Sequence, residues 1–357
     1  MKNSSDRIRT THTGSLVRTP ELVELLIQDR LGQPPQERVY KQTLRDGVRD
    51  VVKRQAATGI DVIDDGEYGK SNWITYLSER IRGLEPDLST KDIPANSVRL
   101  WPEPERFGDF YDRYDEYESV QWLPDTPSRE QYAGTQVAEY RNAICTSALE
   151  YKTDALVRDI DNFKAALEHV DVDEAFMPVV APCSMELTPN RYYGTQEEYL
   201  FALADALSVE YRMIVDAGFI LQVDDAFLPM QRFLIFRDQD FSAYRKWAEL
   251  RMEALNHALN GIPEDRVRYH VCFGSQNIPH TTDPDLKEII DIVLMANVQA
   301  YAIEACNPRH EHEWQLWRDV QLPEGKVLIP GVISHSTNIV EHPELIALRL
   351  MNFAQLV

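Results

Sequence analysis

The chain has 357 residues, 43% of them hydrophobic, enough for one large core or two ordinary ones. Its 58 acidic residues outnumber 37 basic ones, for a net charge of −21, and such a surface repels phosphate backbones and anionic membranes. Nucleic acid is therefore not expected as a partner, and no run approaches the roughly 20 apolar residues of a membrane span. The opening MKNSSDRIRTTHTGSL lacks the apolar core of a signal peptide. Cys145, Cys183, Cys272 and Cys306 are too scattered for a secreted disulfide framework, so a cytoplasmic protein with reduced thiols is expected.

In chain order, RTTHTGSL ends near Ser15 and is followed by helical segments at about Pro20–Leu31 and Glu37–Thr58, the second stopped by Gly59. A strand is predicted over Ile60–Glu67. Further strands are predicted at 143–151, 174–182, 218–226, 267–274, 300–306 and 326–334, and helices at 154–169, 195–217, 241–260, 284–297 and 310–319. Strand and helix alternate about eight times, which predicts an α/β protein: a (β/α)8 TIM-type barrel, one domain over 1–357. No Gly-X-Gly-X-X-Gly follows the first strand to favour a dinucleotide fold. Residues 84–140, rich in Tyr, Trp, Pro and acids, interrupt the rhythm and read as an insertion, a surface cover or a lid over the site.

Barrel chemistry sits at the C-terminal ends of strands and in the loops beyond them. Those positions hold His12 and Ser15; Asp64, Asp65 and Glu67; Cys183; Asp224 and Asp225; His270 and Cys272; Glu304 and Cys306; Ser334 and His335. His270 and Cys272 lie two apart on one strand, so both point to one face, and imidazole and thiolate are preferred zinc ligands. The next strand delivers Glu304 and Cys306 with the same spacing, and neighbouring strands run about 4.8 Å apart, so four side chains can converge on one ion. His310 and His312, at the start of a helix, do not share a face and read as pocket rim or surface.

The stretches THTGSL, DVIDDGEYG, ILQVDDAFL, YHVCFG, YAIEACNPRHEHE and PGVISHSTNIVEHPE resemble the catalytic barrel of cobalamin-independent methionine synthases and their shorter relatives, which include epoxyalkane:coenzyme M transferases. The resemblance covers nearly the whole chain outside 84–140. It implies zinc as cofactor, held by His270, Cys272 and Glu304, and a thiol substrate bound by Gly14 and Ser15 through its carboxylate and by Glu67 and Asp224 through its amino group. The last zinc ligand of the methionine-synthase branch is a cysteine in a later Asp-Cys-Gly-like segment. The sequence reaches Val357 inside an apparent helix before such a segment, and Cys306 is the sulfur on the right strand, although the family does not use that position. His335 falls next to the position of a proton-donating histidine. Met230 replaces a folate-contacting Glu, which weighs against a polyglutamyl folate donor.

The implied reaction is zinc-dependent alkyl transfer, most simply methyl transfer, to a thiol such as homocysteine, with His335 protonating the leaving atom. An epoxide in place of the methyl donor gives a coenzyme M-type transferase. Asp64, Asp65 and Asp224 also admit a metal-free, uroporphyrinogen decarboxylase-like enzyme, and a non-catalytic small-molecule binding protein is a third reading. The partners expected are a small-molecule thiol and an alkyl donor; oligomeric state is open.

Overall fold

A computed structural model describes every residue except 3, 6, 31, 74, 75, 87–102, 114–142, 275, 276, 335 and 338. Its strands are β1 (Val62–Ile63), β2 (Ile81–Pro86), β3 (Ala143–Tyr151), β4 (Glu174–Val180), β5 (Ile220–Asp225), β6 (Val267–Val271), β7 (Ala300–Glu304) and β8 (Val327–Gly331). Six of them form one parallel sheet in the order β1-β4-β5-β6-β7-β8. Thr11 extends it by bridging to Val62 in parallel. Helices Asp154–Leu167, Gln196–Asp216 and Phe241–Ala258 return the chain between parallel strands, as crossover connections require. The sheet curls: Arg268 of β6 reaches across its concave face to Thr11 Oγ1 at 2.9 Å and to the His12 carbonyl at 2.8 Å. The architecture is the expected α/β, TIM-type barrel.

The expected barrel strand at 143–151 does exist, but β3 pairs antiparallel with β2 in a separate two-stranded sheet. Apolar patterning identifies a strand without identifying its partner, and β2 was not among the predicted strands. The strand expected over Ile60–Glu67 shrinks to two residues because Asp64 Oδ1 accepts from Gly66 N and Asp65 Oδ1 accepts from Glu67 N. These side-chain turns compete with ladder pairing, and Gly66 (φ 69°) and Glu67 (φ 57°) turn the chain out of the strand. The segment expected as a helix at 310–319 is a 3₁₀ helix, Glu311–Arg318.

Alternation along the strands divides the core. Odd-numbered residues of β5, such as Leu221 and Val223, join the large cluster between sheet and helices. Even-numbered residues face the lumen, where Val62, Phe176 and Ile220 form an apolar floor packed on Met1. Helix Gln196–Asp216 is fixed at its start by a capping box between Thr195 and Glu198. Of the 84–140 insertion, the described part includes Glu103, which accepts from Thr281 Oγ1 at 2.7 Å and from Tyr111 OH at 2.6 Å. The insertion thus touches the loop after β6. Most of its length lies outside the described residues. No described helix is long and apolar enough to cross a membrane, and all four cysteines are free thiols.

Candidate active site

Above the apolar floor the lumen turns polar. Asp224 on β5 and His270 on β6 are register partners, and His270 Nδ1 lies 2.9 Å from Asp224 Oδ1. An ionised Asp224 holds the Nδ1 proton and leaves the Nε2 lone pair for a ligand, the usual support for a metal-binding imidazole. Burial raises the Asp224 carboxyl above its usual range, with His270 partly opposing the shift. Gln222 Nε2 donates to the same Oδ1 at 2.7 Å.

Cys272 follows the last residue of β6, half-buried, its Sγ accepting from Gly274 N at 3.2 Å. Burial pushes this thiol well above its ordinary range, and the negative charge of Glu304 pushes it further. Glu304 is buried at the end of β7, and burial together with its charge moves Cys306 up to about 12. The donor chemistry therefore fits a divalent cation: a thiol that stays protonated on its own, two carboxylates and an oriented imidazole form a site short of positive charge. Among the described residues, no three His, Cys, Asp or Glu side chains are gathered as a ready metal-binding set.

The N-terminal loop and the loop after β1 supply a second cluster. Gly14 is buried with φ 149°, and Ser15 Oγ donates to Glu67 Oε2. Lys70 Nζ pairs with Glu67 Oε1 at 2.8 Å, and Arg18 Nη2 donates to the carbonyls of Glu67 and Lys70, both at 2.8 Å. Burial alone would raise the Glu67 carboxyl, but the Lys70 charge and the bonds from Lys70 and Ser15 reverse this and hold it below its usual value. Glu67 and Asp224 lie within each other's field, since the Glu67 charge raises the Asp224 carboxyl. Gly14, Ser15, Glu67 and Asp224 are thus brought to one mouth, although Glu67 is already engaged by Ser15 and Lys70.

Of the remaining positions, His12 and Asp64 lie together, with His12 Nε2 3.4 Å from Asp64 Oδ1. His12 bonds to Gln55 Oε1 at 2.7 Å, and burial lowers its basicity. Asp225 points away from the lumen, accepting from Tyr269 OH at 2.9 Å and Leu228 N at 3.0 Å. Cys183 is buried among core residues, and Ser334 bonds to Ser336. His335 lies outside the described residues.

His310 corrects the surface reading. It is 3% exposed, stacked on Phe273 at 3.7 Å between ring centroids, and bonded to Asp283 (3.1 Å) and Glu313 (2.9 Å). Burial opposes its charge, but the two carboxylates overcome it and bring it up to about 9. Asp283 is also within 2.9 Å of His280 Nδ1. Sequence reasoning missed this group because its members meet only through the loop after β6. Gln222 and Arg268 were missed too, although each sits two residues before a chosen residue on the same strand face, and period-2 alternation would have found them.

Polar side chains grouped at the strand C-termini, around an oriented His and a half-buried thiol, occupy the end of the barrel where barrel folds carry their functional sites. Residues 8–114 match the profile of the cobalamin-independent synthase catalytic domain. The methionine synthase of Sulfolobus acidocaldarius is 25% identical over 275 residues, 76% of this chain and 63% of that protein. The methionine synthase of Saccharolobus solfataricus is 26% identical over 267 residues, 74% and 62% of the two chains. The chain thus spans somewhat less than two thirds of the length of these relatives. A B12-independent methionine synthase from a Shewanella species, solved with selenomethionine, superposes with a TM-score of 0.68 at 18% identity, over 98% of this chain and 87% of that one. The profile and the relatives support the cobalamin-independent methionine synthase family, and the superposition shows the same fold.

Proposed function

We propose that the chain transfers a methyl group to a small thiol, homocysteine or a close analogue, in a zinc-dependent reaction. The observation that carries the reading is the Asp224–His270 pair, 2.9 Å apart, beside the half-buried Cys272 thiol in the field of Glu304. His270, Cys272 and Glu304 would hold the ion, with Cys306 the candidate for a further ligand. When bound, zinc would supply the positive charge that turns a substrate thiol, half-ionised only near pH ~8.5, into a thiolate at neutral pH.

The protein's own residues account for the rest of the reading. The backbone at Gly14 and the Ser15 hydroxyl receive the substrate carboxylate, and Glu67 and Asp224 receive its ammonium group. The sulfur forms its new bond to the donor carbon as the donor's bond to that carbon breaks. The leaving atom takes a proton, with His335 the candidate source. Met230, Phe233 and Ala226 form an apolar cluster with Trp73, Phe227, Ile278 and Cys272 packed on it, and the Trp73 and Phe227 rings stack with centroids 6.3 Å apart. That wall favours a flat, aromatic methyl donor over a small epoxide, and the methionine synthase relatives lend no support to the epoxide alternative.

The test is elemental analysis of protein purified without added metal, for the wild type and His270→Ala. The reading expects about one zinc per chain, lost in the variant. Equal zinc in both proteins, or none in the wild type, would remove the proposed ligand set.

A further inference from the structure

Two buried polar side chains in the middle of the lumen belong to neither the proposed ligand set nor the proposed substrate contacts. Gln222 is 0% exposed and Arg268 1% exposed. Both stand on register-paired positions of β5 and β6, directly over the apolar floor, with the Arg268 guanidinium 3.5 Å from the Phe176 ring centroid. Burying a guanidinium is costly unless its N–H groups and its charge are compensated. Here Nε donates to Gln222 Oε1 at 2.6 Å, Nη1 to Thr11 Oγ1 at 2.9 Å and Nη2 to the His12 carbonyl at 2.8 Å. Gln222 Nε2 donates to the Thr13 carbonyl and to Asp224 Oδ1. Turning the Gln222 amide over would set its oxygen against two acceptors and its NH2 against Arg268, so its neighbours fix its orientation.

The effect falls on one segment. Thr11 bridges to Val62 at one end of the N-terminal loop, and Leu16 N donates to the Gly66 carbonyl at 3.1 Å at the other. Between these ends, the Thr13 carbonyl is held from across the lumen by Gln222, and the His12 carbonyl by Arg268 at 2.8 Å, with a longer 3.5 Å contact from the neighbouring Thr11 hydroxyl. Gly14 and Ser15 come next. The same Gln222 amide contacts the carboxylate that orients His270.

We propose that Gln222 and Arg268 are positioning residues, a cross-lumen brace that sets the Gly14–Ser15 loop at a fixed distance from the Asp224–His270 pair. The role rests on the proposed thiol-binding function, because it concerns the spacing between the carboxylate-binding loop and the ligand face. A fork of donors is needed to hold two carbonyls and a hydroxyl at once, which a single ammonium does not provide.

The experiment is hydrogen–deuterium exchange on the whole chain for the wild type, Gln222→Met, Gln222→Glu and Arg268→Lys, with homocysteine kinetics alongside. Gln222→Met keeps the volume and removes all polar contacts. Gln222→Glu keeps the acceptor for Arg268 and removes the donors to Thr13 and Asp224. Amides of residues 10–16 are expected to exchange ~10-fold faster or more in all three variants, while helix Gln196–Asp216 keeps its wild-type protection as the control for folding. KM for homocysteine should rise ~10-fold or more with kcat changed far less, since a misplaced loop weakens substrate binding before it affects the reacting atoms. Unchanged protection of residues 10–16 would overturn the brace. Faster exchange with an unchanged KM would reduce it to a stabilising contact and overturn the positioning role. A wild type without homocysteine turnover would defeat the functional reading instead, and the exchange result would still decide whether the brace exists.

Discussion

Replacing Asp224 by Ala removes a carboxylate whose Oδ1 is 2.9 Å from His270 Nδ1 and 2.7 Å from Gln222 Nε2. The imidazole then loses the partner that fixes its tautomer and ring angle, and Nε2 is no longer held toward the proposed ion. Loss of such a supporting carboxylate typically weakens metal binding 10- to 100-fold, equivalent to ~1.4–2.8 kcal/mol. Asp224→Asn offers a control on cause. Its carbonyl oxygen can still accept from Nδ1, so geometry survives while the charge is lost, and the effect should lie at or below ~10-fold. Zinc affinity is measured by competition with a chromophoric chelator at neutral pH, with circular dichroism to confirm folding. A folded Asp224→Ala protein that binds zinc within about twofold of the wild type would refute the role assigned to this pair.

His310→Gln tests the buried charge network. The folded-state value of about 9 exceeds the ordinary 6.5, so the protonated ring contributes stability that is fully present below about pH 6.5 and lost as pH rises through about 9. The difference corresponds to about 3 kcal/mol, and denaturant midpoints across that window should fall in the wild type and stay nearly flat in the variant. Equal slopes would show that the imidazole is not the titrating group. Gly14→Ala should cost about 1–3 kcal/mol, because a Cβ there meets Pro178 Cγ at 3.2 Å with φ at 149°, and homocysteine KM should rise with it. Wild-type stability and KM in that variant would contradict the close approach described here.

The barrel was legible because strands β4 to β8 are short, mainly apolar segments alternating with helical ones, and their ends fall within a few residues of the expected ones. The candidate ligand positions were singled out on a related ground: residues two apart on a strand share a face, which pairs His270 with Cys272. What sequence did not show depended on contacts between distant segments. The β2–β3 pair joins residues 81–86 to 143–151 across the insertion. His310 is buried by Asp283, 27 positions earlier, and by Phe273. Arg268 looks like an ordinary charged residue in VRYHV until Thr11, 257 positions away, supplies its partner. The end of β1 illustrates a local miss, since the two aspartates of IDDGE cap a turn where the apolar pattern alone read continued strand.

Zinc-edge X-ray absorption of the purified protein, before and after adding homocysteine, tests the central proposal most directly. The account predicts a first shell containing nitrogen or oxygen and at least one sulfur near ~2.3 Å, with one additional sulfur when homocysteine is present. It also predicts loss of a protein sulfur in Cys272→Ser. A first shell unchanged by homocysteine, or a sulfur count indifferent to Cys272, would contradict thiol activation at this site.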